Sequence, residues 1–401
     1  MLGDNSIVHS AEHGLVLQPG RSQAHNVFDL DVSDERLAVR DLGRSLGLDV
    51  LSPAAKEAER SRRLPPSVLA PLHESGLTVL VDEANGGGGL PDVGTHLVAV
   101  EALAYGDPGI AMAALWAGAG ALFLSRCATP AQAAAALPNL LSNPTATSAV
   151  ALYEGFGRAP SEFATTISEG PDGTWQVRGR KLCVANADDA ATLIVVGVDP
   201  STGQRRAALL TGTMRRNGVT VTRDDERLAL GAARTFTVTI DTTVHADDLL
   251  GGPDADPTAL EAAVGWFRLL VAAAQCGTAQ RATDYAAKYA TERIAFGKPI
   301  ATFQGVSFLL ADSAIRIGAA RLEMLDAAAH LDASRPGSED GVTKAVNYCG
   351  VVATTATRDA LQVLGGHGFI TDHPVELWYR SSAALSVLDH DPLLANFEPA
   401  L

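Results

Sequence analysis

Residues 361–380 read LQVLGGHGFITDHPVELWYR, and residues 289–304 read YATERIAFGKPIATFQ. Each stretch closes a long run of helical period. The run VTKAVNYCGVVATTATRDALQVL, starting at Val342, ends on the pair Gly365–Gly366, the residue type that helix C-termini use. The run ALEAAVGWFRLLVAAAQCGTAQRATDYAAKYATERIAF, starting at Ala259, is long enough for one extended helix.

Upstream of these helices the texture differs. From Ala149 to Gly252 come short Thr/Val-rich segments, GTWQVRG, TLIVVGV, RRAALLTG, GVTVTRD and TFTVTID, separated by Gly, Asp, Asn and Pro. That spacing predicts an antiparallel sheet or barrel. Earlier still, LPPSVLAPLHESGL and THLVAVEALAYGDPG carry apolar residues at three- and four-residue spacing. Gly76 and the Gly106-Asp107-Pro108 triplet act as stops, and NGGGGLPDVG is an intervening loop. The order helical, β, helical has no βαβ alternation and no repeat, which argues against a Rossmann arrangement. The expected domains are an extension over 1–34, a helical domain over 35–148, a β domain over 149–253 and a helical bundle over 254–401.

Composition bounds the function. With 47% hydrophobic and 19% charged residues the chain is a helix-rich globular protein rather than a disordered one. A net charge of -15 speaks against nucleic acid as a partner, since that affinity comes from cations neutralising phosphates. Cys127, Cys183, Cys276 and Cys349 show no ligand or disulfide spacing, so a reducing, cytoplasmic setting is expected. The N-terminal segment lacks a basic leader followed by an apolar block. The longest apolar run, Gly109–Ser125, falls short of the roughly 20 residues a membrane span needs and reads as a buried helix.

The stretches quoted above resemble the acyl-CoA dehydrogenases. YATERIAFGKPIATFQ is similar to the family's R-x-x-F-G-x-x-I-x-x-x-Q, and LQVLGGHGFITDHPVELWYR to its Q-x-L-G-G-x-G-[YF] with a following Pro-Val-Glu and Tyr-Arg. The resemblance covers nearly everything after residue 35. It implies a mostly α, α+β fold: a helical N-terminal domain, a β-barrel middle domain and a C-terminal four-helix bundle. It also implies FAD, with Arg293, Phe296, Gln304, Gln362, Gly365 and Gly366 reaching the cofactor of a neighbouring subunit. Their chemistry suits a dinucleotide. Arg293 offers a permanent bidentate charge, Gln304 an amide, Phe296 an apolar face, and the glycines unobstructed backbone N–H groups. Taken singly, Arg293 reads equally as a surface charge and the glycines as a helix cap.

In the family a carboxylate removes the α-proton of an acyl thioester while the β-hydride passes to the flavin. Counting on from Tyr379-Arg380 places that carboxylate at Asp389, within VLDHDP, one methylene shorter than the usual glutamate. Asp391 is the alternative if the turn is re-spaced, and an Asp-rich turn without catalytic role is another. The second base position of the family, before the substrate-side Arg268, is Phe267. On the flavin-ring side, YEGFGRAPSEFATT replaces the usual Thr by Tyr153, keeps Glu154 and offers Ser161-Glu162 for Ser-Asp; CVAN carries Cys183 for Trp, Ala185 for the hydroxyl residue, and Asn186. Ala185 cannot donate the hydroxyl hydrogen bond, and Cys183 removes an aromatic wall.

The expected activity is FAD-dependent dehydrogenation of an acyl thioester carried by coenzyme A or a carrier protein. The expected partners are further copies in a dimer or tetramer, or a paralogue in a heteromer, and an electron-transfer flavoprotein. A non-catalytic subunit and a flavin oxidase or monooxygenase are the alternatives. His367, His373 and His390 lack ligand spacing, so no metal is expected, and Trp266 and Trp378 read as packing anchors.

Overall fold

The computed structural model describes residues 33–81, 87, 90–155, 163–212, 217–224, 227–335 and 337–388. Ser161, Glu162, Asp389, His390 and Asp391 lie outside the described residues.

Helices α1 (Asp34–Leu46) and α2 (Ser52–Ser61) run on through a π-turn at Gly47–Leu51, and α3 (Pro66–Glu74) stops before Gly76, whose φ is 71°. Helix α4 (Val93–Gly106) follows, and Asp107 then caps α5 (Pro108–Cys127) by accepting from Ile110 N at 2.7 Å. The apolar run read as a buried helix is therefore α5, and its most apolar window is 78% buried. Helix α6 (Pro130–Ser142) closes the first helical layer with a Thr129/Gln132 capping box.

The β segments form one curled seven-stranded sheet: β1 (Ser148–Ala151), β2 (Thr166–Glu169), β3 (Thr174–Ala185), β4 (Thr192–Val198), β5 (Arg205–Thr211), β6 (Val219–Arg223) and β7 (Thr235–His245). The five longer strands coincide with the Thr/Val-rich segments. Pairing departs from the antiparallel expectation at two places: β1 lies parallel to β4, with Ala149 opposite Leu193, and β2 meets β4 in parallel at Thr166 and Val198. Strand β1 arrives from the helical layer rather than from a hairpin, so nothing forces it antiparallel.

Both faces of the sheet are buried at β1, β4 and β5, whereas β7 alternates buried and exposed residues. Val150, Ile194, Val196, Ala207 and Leu209 face the helices and share their core. Ala149, Leu193, Val195, Ala208 and Leu210, one residue out of phase, form a second core inside the curl. Near-continuous apolar strands such as TLIVVGV follow from that double burial.

Helix α7 (Pro257–Glu292) is the spine of the last region, followed by a two-residue hairpin, β8 (Ile294–Ala295) and β9 (Lys298–Pro299). Helices α8 (Gln304–Asp332), α9 (Ser338–Leu364) and α10 (Val375–Ser386) complete the bundle. Helix α4 crosses α7 so closely that a Cβ on Gly277 would stand 2.2 Å from Glu101 O, which only glycine permits. Arg205 ties the sheet to the bundle, pairing with Glu261 on α7 and with Glu339 on α9.

Candidate functional site

Three layers meet at the middle of α5. Ser148 Oγ accepts from Gly120 N and donates to Ala117 O, both at 2.8 Å, pinning the start of β1 to that helix. Strand β1 then runs into Leu152-Tyr153-Glu154. Opposite it, β3 breaks register with β7 between Lys181 and Val184, and Leu182 N turns to bond Tyr153 O at 2.9 Å. The bulge leaves Cys183 at φ 54° and Asn186 at φ 58°, the left-handed region that a cysteine rarely visits. Bulges and such strained residues collect where a side chain must be re-aimed.

The result is a small, partly open cavity of ≈ 10 Å³ lined by Trp116, Val150, Tyr153, Cys183, Ala185 and Phe267. The structure thus brings together Tyr153, Cys183 and Ala185, and sets Phe267 against them. The Tyr153 and Phe267 ring centroids are 5.9 Å apart. The aromatic side of the cavity is formed by Trp116, Tyr153 and Phe267. Burial pushes the Cys183 thiol up, with Arg227 opposing, so it fills space rather than acting as a thiolate.

Trp116 and Lys181 were not singled out from the sequence. Trp116 was hidden in a run read only as a buried helix, although its indole N–H is a polar group that burial makes notable. Lys181 falls on the same register face as Trp175 and Val177, and that parity marks it as inward-pointing. Its Nζ donates to Glu154 Oε1 and to Leu152 O, both at 2.9 Å.

Arg268 is 2% exposed, and its Nη2 donates to Thr343 Oγ1 of α9 at 2.9 Å. A second, larger cavity of ≈ 350 Å³ opens where the sheet meets the start of α7, with Arg126, Arg205 and Arg206 on its walls.

The other candidate residues gather elsewhere. Arg293 caps α7, Phe296 sits on the hairpin and is 96% exposed, and Gln304 starts α8. Gln362 lies in the last turn of α9, and Gly365 leaves it at φ 58°. A shared apolar cluster that includes Ala290, Ile300, Val306, Val363 and Leu364 holds these helix ends together. All six are exposed except at their backbone anchors, and a guanidinium, an amide and bare glycine backbone are a donor set that fits a pyrophosphate and ribose. From Phe267 to the end of α7 is about 38 Å of helix at 1.5 Å per residue. One extended dinucleotide cannot touch both the cavity and Arg293 of the same chain.

His367 and His373 receive different partners: their Nδ1 atoms face Tyr289 Oη at 2.9 Å and Tyr285 Oη at 2.7 Å. Among the described residues no group of His, Cys, Asp and Glu could hold a metal ion. Trp378 is 2% exposed and Trp266 3%, as packing anchors should be.

Comparison with known proteins bears on these features. The model for the acyl-CoA dehydrogenase N-terminal domain matches residues 33–144, and that for the C-terminal domain residues 258–389. The chain is 28% identical over 368 residues to the probable acyl-CoA dehydrogenase FadE25 of Mycobacterium tuberculosis, covering 90% of this chain and 94% of that protein. Butyryl-CoA dehydrogenase from Megasphaera elsdenii superposes with a TM-score of 0.79 at 26% identity, over 92% of this chain and 97% of that one. A structure described as the FAD complex of PigA shares the fold with a TM-score of 0.80 at 18% identity, over 91% and 96% of the two chains. With both helical regions matched and the order of layers the same, the chain belongs to the acyl-CoA dehydrogenase family.

Proposed function

We propose that the protein is a FAD-dependent oxidoreductase that dehydrogenates the α,β-bond of an acyl thioester carried by coenzyme A or a carrier protein. The observation that supports this reading is the convergence of Tyr153, Cys183 and Ala185 with Trp116 and Phe267 on one small cavity at the junction of α5, α7 and the sheet. Bound FAD would supply the hydride acceptor.

The chain's own residues supply the rest. The apolar, aromatic walls exclude water, which strengthens any charge interaction made inside. A base is needed to hold the α-proton, and none of the described lining residues carries a carboxylate. Asp389 is the candidate. Helix α10 is docked on α7 by Ser382 Oγ donating to Gln275 Oε1 at 2.9 Å and Gln275 Nε2 donating to Ser382 O at 3.0 Å. Leu388, immediately before Asp389, packs against the core cluster that contains Trp116 and Phe267.

Arg293, Phe296, Gln304, Gln362, Gly365 and Gly366 would hold the cofactor of a neighbouring copy, so the working unit is an oligomer. Electrons leave to an external acceptor such as an electron-transfer flavoprotein.

Anaerobic titration of the FAD-loaded protein with short acyl thioesters tests the reading. Bleaching of the oxidised flavin band is expected; a band that no thioester bleaches overturns it, and oxygen uptake in its place would mark an oxidase. Asp389→Asn should slow bleaching by about 10²- to 10⁴-fold, the range for a lost general base. Unchanged bleaching removes Asp389 from the mechanism.

A further inference from the structure

Trp116 is 4% exposed, it lines the cavity, and its Nε1–H meets no acceptor among the described residues. A buried donor left unmade carries its full desolvation penalty, and native proteins keep such groups where a ligand completes them. The indole of Trp266 also lacks an acceptor, but it lies between His96 and Arg126 and does not line the cavity.

Position decides what the Trp116 N–H addresses. Cys183 and Ala185 form the sheet side of the cavity, where the flavin ring belongs on the reading above. Trp116 and Phe267 form the helical side, where the acyl group must lie. Phe123 backs Phe267 at 5.9 Å between centroids.

We infer that Trp116 is a specificity-determining residue of the acyl site: its Nε1–H donates to an oxygen or nitrogen acceptor on the acyl group. The substrate class is then an acyl thioester bearing an acceptor beyond the two carbons that are dehydrogenated. This rests on the dehydrogenase reading and narrows it. A site built to donate a hydrogen bond discriminates against the analogue lacking the acceptor much more strongly than an apolar pocket discriminates by one methylene.

The test uses two unreactive thioethers, S-pentyl-pantetheine and S-(4-oxopentyl)-pantetheine, which lack the thioester carbonyl and so cannot be dehydrogenated. Calorimetric titration of the FAD-loaded protein should show the oxo compound binding about tenfold more tightly, as one net hydrogen bond allows. In Trp116→Phe the preference should fall to about one. Independently of any variant, the indole N–H resonance of Trp116 in ¹⁵N-labelled protein should move with the oxo compound and not with the plain one. Equal affinities in the unaltered protein, binding of neither compound, a preference that survives Trp116→Phe, or an unmoved indole resonance overturns the inference. Selective binding together with a flavin that no thioester bleaches overturns the dehydrogenase reading alone.

Discussion

Lys181 Nζ stands 2.9 Å from Glu154 Oε1, with the two side chains 1% and 3% exposed. Glu154 also accepts from Ala164 N at 2.6 Å and Thr165 N at 2.9 Å. One buried pair therefore holds both ends of the segment that follows Tyr153 and contains Ser161. Burial pulls the Lys181 ammonium down to about 8, against the pull of Glu154. Burial alone would raise Glu154, but the Lys181 charge and the hydrogen bonds it accepts hold it below its ordinary value.

Removing one partner of such a pair leaves the other buried and uncompensated. Lys181→Met should cost about 3–5 kcal/mol in chemical denaturation, whereas Lys181→Met with Glu154→Gln should cost clearly less than the two single losses together. Additive losses would show that the two groups do not act as a unit.

Two buried titratable groups in the helical layers oppose each other in acid. His96 is 1% exposed, with Nδ1 3.1 Å from Asp92 O, Nε2 3.3 Å from Val79 O and its ring against Trp266. Burial lowers it from 6.5 to about 4. Between those values the unfolded chain holds more protons, so the histidine's contribution to stability is lost as pH falls. Asp107, buried as the α5 cap, is raised by burial from 3.8 to about 6. There the folded chain holds more protons, and its contribution has the opposite sign. Each amounts to roughly 3 kcal/mol across its window at 1.36 kcal/mol per unit, so in the native protein they nearly offset. Asp107→Asn, which keeps a capping side chain, should make the melting temperature fall more steeply from pH 6.5 to 4 than in the unaltered protein. His96→Gln should flatten or reverse that fall. Parallel profiles for all three would refute the assignment.

The longer strands and the order of layers were legible because each rests on a local signal: period two, period 3.6, or a Gly pair at a helix end. Strands β1 and β2 were not, since SAVA and TISE are too short to carry a period and acquire their place only by pairing with β4 and β3. Motif spacing made it legible that Arg293 and Gln304 come together at one end of the bundle. The candidate site was not legible at Trp116, because which face of α5 meets the bulge at Cys183 depends on how the sheet docks on the helix. Lys181 lay between the two cases, its inward face readable from register but its partner Glu154 readable only from the fold.

Helix α8 presents Phe308, Ile315 and Leu322, 65%, 72% and 46% exposed, at seven-residue spacing, a seam that a second helix covers in a coiled-coil-like contact. Phe296 lies at the same end of the bundle as Arg293 and Gln304. If a neighbouring copy covers this face, it brings its own cavity within reach of these residues, which the 38 Å or so of α7 forbids within one chain. Ile315→Glu should therefore shift sedimentation from an oligomer toward the monomer and lower bound FAD, read from the visible spectrum, although the cavity is untouched. Lys56→Ala, a change at an exposed position on α2, should leave the oligomer intact and serves as the control. A monomeric Ile315→Glu protein that retains one FAD per chain would show that each subunit holds its cofactor alone, and would remove Arg293, Gln304 and Gly365 from the cofactor site.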